Sequence, residues 1–218
     1  MFTSEYASSI FGANKQYNAL QFHFHAGSEH TVDGIRQDFE MHIVHTAETT
    51  VNEFKYAAVG IMFSVNAYNS KLTVAEQKII DTFFETLDLS NKNDPIVNFN
   101  NFGDMMSMLD TDNRWVYKGS VTTPPCDRYV YWNVLTTIYP ISQKHLDLFK
   151  AQLQRGESGQ LVNYGNWRAT TPVDMHNVQR VVDTTLGSEL MTGNNPSYQI
   201  NINIYNQNSA STASRQCY

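Results

Sequence analysis

The sequence has few cysteines, no long hydrophobic run and no excess of positive charge. Its two cysteines, Cys126 and Cys217, allow a disulfide, two buried thiols or pairings with partners outside this chain. No apolar stretch approaches the roughly 20 residues that span a bilayer, and residues 1–17 lack the basic region and apolar stretch of a signal peptide. The formal net charge of -6 provides no basic field for a phosphate backbone, so a small or neutral ligand is expected rather than nucleic acid.

The composition and the hydrophobic pattern indicate a globular protein rich in strands. A chain of 218 residues with 41% hydrophobic and 12% aromatic residues is long enough for one domain with a large core. Three short runs rich in β-branched and aromatic residues, 19–25, 37–46 and 56–65, predict successive strands. The third run is apolar on both alternating faces, which is typical of a strand inside a covered sheet.

Helical periodicity is found in two segments. Residues 74–87 repeat apolar side chains at a helical period with one polar face. Residues 142–156 predict a second helix, with Ser142 as N-cap and Gly156 as a stop signal; its buried stripe is expected at Leu146, Phe149 and Leu153. Strand character returns at 127–139, so the predicted fold is mixed α+β with strands dominant.

The segment "QFHFHAGSEH", residues 21–30, contains three histidines. On a strand, residues two apart share a face, so His23 and His25 point the same way while Phe22 and Phe24 pack on the other side. A lone H-x-H pair is more often structural than metal-binding, so further residues are needed to indicate a metal.

The following strand supplies such residues, because "FEMHIVH" places Glu40 and His42 on one face. If the two strands are neighbours, His42 completes a cluster of three imidazoles, which leaves the fourth position of a tetrahedral Zn²⁺ open, as in catalytic rather than structural sites. Gln21 and Glu40 are each two residues from a proposed ligand and can accept its second N–H. We expect structural roles for His30 and His45, since His45 faces away from His42.

Three separated segments together carry a family resemblance: "QFHFHAGSEHTVDG", "FEMHIVH" and "GSVTTPPCDRYVYWNVL". In this order they resemble the α-class, eukaryotic-type carbonic anhydrases, from about Leu20 to Arg168. The resemblance implies a large, mostly antiparallel twisted sheet with peripheral helices. It also implies reversible hydration of CO₂ to bicarbonate and a proton by zinc-bound hydroxide, with Zn²⁺ as cofactor and CO₂ and bicarbonate as small-molecule partners.

The resemblance also implies individual roles. His23, His25 and His42 fall at the zinc-ligand positions of the family, and Gln21 and Glu40 at the positions of their outer partners. Thr122 corresponds to the threonine that accepts a hydrogen bond from the zinc-bound hydroxide, Glu29 to the carboxylate that orients it, and Thr123 to the neighbouring active-site threonine. The CO₂ pocket maps to Val44, Ala58, Val121, Val130 and Trp132, with Ala58 where many members have valine. Asn166, Trp167 and Arg168 match a structural segment of the family.

The sequence departs from the family before Gln21, where only 20 residues stand and none is histidine. We therefore expect an N-terminally truncated domain over residues 1–200 with a polar tail over 201–218. No shuttle histidine is visible, which leaves Tyr6, Tyr17 and solvent as weak routes for the proton.

Cys126 follows the T-T-P-P motif, where many secreted members have a cysteine bonded to one near the N-terminus. Two alternatives are open for Cys126. Either its partner belongs to a segment missing from this chain, in which case a secreted or organelle-lumen protein is expected, or Cys126 is a free thiol. Pairing with Cys217 ranks lower.

Two further functions compete with a zinc lyase. A carbonic-anhydrase-like binding or assembly subunit with little or no catalysis is the alternative, and a purely structural zinc site is the third hypothesis. The retention of all three histidines, Glu29 and Thr122 favours the enzyme.

Overall fold

A computed structural model of the chain describes residues 2–3, 16–49, 53–70, 72–91, 102–153, 165–173 and 176–182. The strands in this part of the chain are β1 (Phe2–Thr3), β2 (Gln16–Ala26), β3 (Thr31–Val32), β4 (Ile35–Arg36), β5 (Phe39–Ala47), β6 (Tyr56–Ser64), β7 (Arg114–Ser120), β8 (Arg128–Leu135), β9 (Tyr139–Pro140) and β10 (Gln179–Val181). The helices are α1 (Val74–Thr86), α2 (Phe102–Met108), α3 (Gln143–Leu153) and a 3₁₀ turn at Val65–Ala67. None of the helices described is both long and apolar enough to cross a membrane.

The strands form one large sheet in the order β1-β2-β5-β6-β8-β7-β10, with β9 added beside β6. Neighbouring strands are antiparallel except where β6 pairs with β8 and β9, which run parallel to it. Strands β3 and β4 form a separate hairpin. The predicted fold class, a β-dominated mixed fold built on a mostly antiparallel sheet, is confirmed. The doubly apolar run at 56–65 is β6, and it lies between β5 and β8 as its pattern indicated.

One face of the sheet carries the main hydrophobic core beneath the helices. Strands β2 and β5 contribute Phe22, Phe24 and Met41 to this face, and α1 contributes Phe83 and Phe84. The burial of Phe83 and of Phe84, which are fully buried, stabilises the fold by roughly 1.5–3 kcal/mol each. Helix α1 begins at a capping box, in which the Thr73 side chain accepts from the backbone N–H of Glu76 and the Glu76 carboxylate accepts from the N–H of Thr73.

Helix α3 also begins where its sequence predicted. The Ser142 hydroxyl accepts a hydrogen bond from the backbone N–H of His145 at 3.2 Å, which confirms Ser142 as the N-cap. Leu146 is buried, and Phe149 and Leu153 pack against the main core. The predicted stop at Gly156 lies outside the described residues, as does the predicted polar tail.

The opposite face of the sheet carries a second apolar cluster, which forms one wall of the candidate site. Its buried members are Ala58, Met62, Trp115, Tyr117, Val130, Trp132 and Val134. An irregularity between Ala19 and Gln21 shifts the register of β2 against β5. After this shift His23 lies directly opposite His42, and the imidazoles of both strands share the face of the second cluster.

Cys126 forms a disulfide bond. Of the alternatives left open for Cys126, the free thiol is therefore excluded. Cys217, the other cysteine of the sequence, lies outside the described residues.

Candidate metal centre

Three imidazoles meet where β2 and β5 pair. The ring centroids of His23 and His25 are 5.1 Å apart, those of His23 and His42 5.2 Å, and those of His25 and His42 4.5 Å. His25 and His42 are buried, and His23 is partly buried at the edge of a cavity. The structure thus brings together the three histidines that the strand periodicity and the resemblance singled out.

The outward nitrogen of each ring is held by an acceptor. His23 Nδ1 lies 3.0 Å from Gln21 Oε1, and His42 Nε2 lies 2.8 Å from Glu40 Oε1. His25 Nδ1 lies 2.8 Å from the main-chain oxygen of Asn166. Because these oxygens only accept hydrogen bonds, each of these ring nitrogens carries the proton and donates.

Because a neutral imidazole carries only one proton, the second nitrogen of each ring is unprotonated and has a free lone pair. These nitrogens are His23 Nε2, His25 Nε2 and His42 Nδ1. One nitrogen from each histidine lies within 4.8 Å of the others, a range that includes the separation of about 3.4 Å required by a tetrahedral ion with bonds of ~2.0–2.1 Å. His25 Nε2 is buried without a hydrogen-bond partner in the described part of the chain. A metal ion would give this buried nitrogen the partner that it lacks, so the three imidazoles fit a Zn²⁺ ion.

Glu40 joins the centre to a second layer of hydrogen bonds. Its Oε1 accepts from His42 Nε2 at 2.8 Å and from His30 Nδ1 at 2.5 Å, and its Oε2 accepts from the backbone N–H groups of Glu29 at 2.7 Å and His30 at 2.9 Å. The Nε2 of His30 in turn accepts from the Tyr117 hydroxyl at 2.8 Å. His30, expected to be structural, therefore positions the acceptor of a predicted ligand.

Burial and these contacts set the charges of the centre. Burial would raise the pKa of Glu40, but His30, His42 and their hydrogen bonds hold it well below its usual range. Burial lowers the pKa of His42 to about 3, and burial and the neighbouring His25 lower the pKa of His23 to about 4. A neutral His42 and a neutral His23 at pH 7 suit a metal ion, because protons compete with metals for imidazole nitrogens.

Glu29 lies behind the centre, next to Thr122. Its Oε1 accepts from the backbone N–H of Arg168 at 3.0 Å. Its Oε2 is buried without a hydrogen-bond partner in the described part of the chain, on the carboxylate that neighbours the Thr122 hydroxyl. Burial raises the pKa of Glu29, and a cation at the adjacent imidazoles would oppose that shift. The Arg168 guanidinium donates to the main-chain oxygen of Val121 at 3.1 Å, which holds the loop that carries Thr122.

The segment 165–168 braces the strand that carries His25. The Asn166 side chain accepts from the N–H of Ala26 and donates to the oxygen of Phe24, each at 2.9 Å, so its main-chain oxygen is held against His25. Gly165 has φ +80°, and a Cβ there would lie 1.8 Å from the Ala26 oxygen. Only glycine allows this close approach.

A cavity of about 380 Å³ opens in front of the histidines. It is lined by Gln21, His23, His42, Val44, Tyr56, Ala58, Val121, Thr122, Thr123, Val130 and Trp132. The five apolar residues predicted for a CO₂ pocket all lie in this wall, next to Thr122 and Thr123. His25, Glu29 and Glu40 lie behind it. The sequence did not single out Tyr56, which lines the cavity two residues before Ala58.

One suggested proton route is excluded by the structure. Tyr17 is fully buried, and its hydroxyl donates to the main-chain oxygen of Phe54 at 3.1 Å. It therefore lies in the core away from the cavity. Tyr6, the other tyrosine considered, lies outside the described residues.

Comparisons with known proteins agree with this geometry. The sequence profile described as eukaryotic-type carbonic anhydrase matches residues 2–182. Human carbonic anhydrase 3 is 28% identical over 173 residues, which are 72% of this chain and 63% of the human protein. Putative carbonic anhydrase 3 of Caenorhabditis elegans is 29% identical over 186 residues, which are 78% of this chain and 67% of that protein.

Two solved structures are similar in fold. The crystal structure of dioscorin complexed with ascorbate has a TM-score of 0.55 and 25% identity, and the match covers 77% of this chain and 63% of dioscorin. The α-carbonic anhydrase from Thermovibrio ammonificans, in complex with the inhibitor sulfanilamide, has a TM-score of 0.52 and 23% identity, covering 78% and 64%. The chain thus spans less than two thirds of the length of either protein.

Proposed function

Because this chain belongs to the eukaryotic-type carbonic anhydrase family, we propose that it holds Zn²⁺ at His23, His25 and His42 and hydrates CO₂ reversibly to bicarbonate and a proton. The observation that carries the proposal is the set of three imidazoles whose outward nitrogens are hydrogen-bonded and whose inward nitrogens face one another beside a cavity. When bound, Zn²⁺ held by neutral imidazoles keeps its charge and supplies Lewis-acid chemistry at neutral pH.

The protein's own residues would divide the remaining work. A Thr122 hydroxyl that donates to the Glu29 carboxylate has only lone pairs left for the cavity, so it accepts a hydrogen bond there and orients the donor. The backbone N–H of Arg168 fixes the Glu29 carboxylate from behind. Thr123 adds a second hydroxyl to the lining of the cavity.

The apolar wall suits a substrate without charge. Val44, Ala58, Val121, Val130 and Trp132 present hydrocarbon and an indole face next to the histidines. CO₂ offers no charge for a protein to bind, so an apolar surface beside the reacting centre is the appropriate site. The indole N–H of Trp132 donates to the main-chain oxygen of Ser120 at 3.0 Å, which leaves its ring to form the wall.

A second candidate is a carbonic-anhydrase-like binding protein with little or no hydration. The structural similarity to dioscorin, solved as a complex with ascorbate, favours it. The zinc site and the cavity would then serve binding, and the Thr122 hydroxyl would have no effect on a rate.

The test is stopped-flow CO₂ hydration on purified protein together with its zinc content. We expect one zinc per chain, loss of zinc and of hydration in His42→Ala, and retained zinc with a roughly 10²-fold lower rate in Thr122→Ala. A matched control is His145→Gln on the other face of the sheet, where His145 stacks on Phe84. Stoichiometric zinc without hydration would favour the binding protein, and absence of zinc would contradict both.

A further inference from the structure

Tyr129 is an extra residue at the start of strand β8. Gly119 of β7 pairs with Val130 of β8. The next residue of β7, Ser120, pairs with Arg128, so Tyr129 stands between two paired positions as a β-bulge. Its φ is +69°, in the left-handed region where glycine is the usual residue of a bulge. A tyrosine in this conformation is strained, so its surroundings must hold it there.

The Tyr129 ring is held by a cation and a second ring. Lys118 Nζ lies 4.4 Å from the centre of the Tyr129 ring and 4.9 Å from the centre of the Phe54 ring. The centroids of the two rings are 6.3 Å apart, with an interplanar angle of 67°. Glu53 forms an ion pair with the same ammonium group. These four residues, the Lys118 cluster, stabilise the bulge through cation–π and ring contacts, and none of them lines the cavity.

The bulge lies where the loop 121–127 joins β8. The Val121 N–H donates to the Asp127 oxygen at 2.9 Å, which closes the loop just before the bulge. Because side chains alternate along a strand, one extra residue decides which of the side chains after it face the cavity. Val130 follows the bulge and lines the cavity together with Val121 and Thr122 of the loop. The bulge therefore fixes the position of the loop relative to the wall that β8 forms.

Thr122 reaches the Glu29 carboxylate from this loop. Glu29 accepts from the backbone N–H of Arg168 at 3.0 Å, so a segment outside the loop holds it. The Arg168 guanidinium also donates to the Val121 oxygen at 3.1 Å, which holds the end of the loop that follows β7. The other end is the one that the bulge fixes. A misplacement of about 1 Å in a positioned group costs up to roughly 10²-fold in rate, so the conformation of residue 129 matters for Thr122.

We propose that Tyr129 is a positioning residue for Thr122: its left-handed bulge, stabilised by the Lys118 cluster, fixes the end of the loop that joins β8 and so holds the Thr122 hydroxyl beside the Glu29 carboxylate. The proposal rests on the proposed function, since Tyr129 acts only through Thr122. The predicted metal ligands lie on β2 and β5, away from this loop, so the bulge sets the rate of hydration and leaves zinc binding unchanged.

A series of substitutions separates the backbone conformation from the ring. Tyr129→Gly and Tyr129→Val both remove the ring, but glycine favours the left-handed conformation and the β-branched valine strongly disfavours it. In stopped-flow CO₂ hydration we expect kcat to fall roughly 10-fold in Tyr129→Val and less than about 2-fold in Tyr129→Gly, with unchanged zinc content. Tyr129→Ala, which strains the backbone less than valine, should lie between them. Tyr129→Phe keeps the ring and is the matched control. Equal kcat values in the glycine, alanine and valine variants would overturn the proposal.

A Thr122→Ala background shows whether Tyr129 acts through Thr122. There Tyr129→Val should lower kcat by less than about 2-fold, because the hydroxyl that it misplaces is already absent. A merely structural role would give the same roughly 10-fold loss in both backgrounds, and that result would also overturn the proposal.

Crystal structures of the zinc-loaded wild type and the variants test the position of Thr122 without a rate. We expect its hydroxyl to stay beside the Glu29 carboxylate in Tyr129→Gly and to move away from it in Tyr129→Val. The two claims can then be separated. A displaced Thr122 in Tyr129→Val together with no hydration by the wild type rejects only the proposed reaction, and hydration by the wild type with an unmoved Thr122 in Tyr129→Val rejects only the role of Tyr129.

Discussion

Substitution of Gly165 by alanine tests whether the brace at 165–168 sets the metal affinity. A Cβ at this position would lie 1.8 Å from the Ala26 oxygen, and real Cβ contacts essentially never fall below 3.0 Å, so the segment must move by more than 1 Å. That movement takes the Asn166 oxygen away from His25 Nδ1. Loss of an outer partner of a metal-binding histidine weakens metal affinity by roughly 10- to 100-fold, and we expect this range for Gly165→Ala.

Gly34→Ala is the matched control for backbone strain. Gly34 has φ +78°, close to the +80° of Gly165, but a Cβ there meets nothing within 4 Å. Both variants should lose about 1–2 kcal/mol of unfolding free energy from the left-handed backbone, measured by urea unfolding of the metal-free proteins, and Gly165→Ala more. Zinc affinity, measured by competition with a chelating dye, should fall only in Gly165→Ala. Equal zinc affinities in the two variants would refute a role for the brace.

Three further predictions concern the centre and the core. Glu40→Gln should weaken zinc affinity roughly 10- to 100-fold, because an amide side chain cannot accept hydrogen bonds from all four donors that surround the carboxylate. Gln21→Ala should weaken zinc affinity less, since water can replace this exposed acceptor of His23. A larger loss of zinc affinity in Gln21→Ala than in Glu40→Gln would contradict the role of the Glu40 network. Since the pKa of His42 is about 3 and that of His23 about 4, both imidazoles stay neutral between pH 7.5 and pH 5.5, and we expect their protonation to leave the zinc affinity unchanged over this range. Two solvent-exposed imidazoles of ordinary pKa would instead lower the zinc affinity about 100-fold from pH 7.5 to pH 5.5. A pH titration of zinc affinity that showed this roughly 100-fold loss would refute the lowered pKa values. Phe84→Ala should lower the unfolding free energy by about 3–5 kcal/mol in urea without changing the zinc affinity of the folded protein.

The parts of the site that share a strand were predictable from the sequence. A period of two residues placed His23 with His25 and Glu40 with His42, and the pairing of β2 with β5 then brought the two faces together. Helices α1 and α3 carried their own caps and apolar stripes, so their starts were predictable as well. The zinc and catalytic roles of these residues remain predictions.

The parts that depend on distant segments were not predictable. Asn166 holds His25 through a main-chain oxygen from 141 positions away, and no side-chain pattern marks such a contact. Strand β7 was missed because Arg114 and Lys118 interrupt its apolar pattern, yet Arg114 is buried and donates to Asn133 at 3.0 Å. In the sequence Tyr56 does not differ from other strand residues, and only the positions of the neighbouring strands show that it lines the cavity.

The measurement that tests the central claim most directly is X-ray absorption at the zinc edge of the loaded protein. We expect three imidazole nitrogens and one oxygen ligand at about 2.0–2.1 Å, with one imidazole fewer in any zinc that His42→Ala retains. A sulfur ligand at about 2.3 Å, or a wild-type spectrum that His42→Ala leaves unchanged, would contradict it.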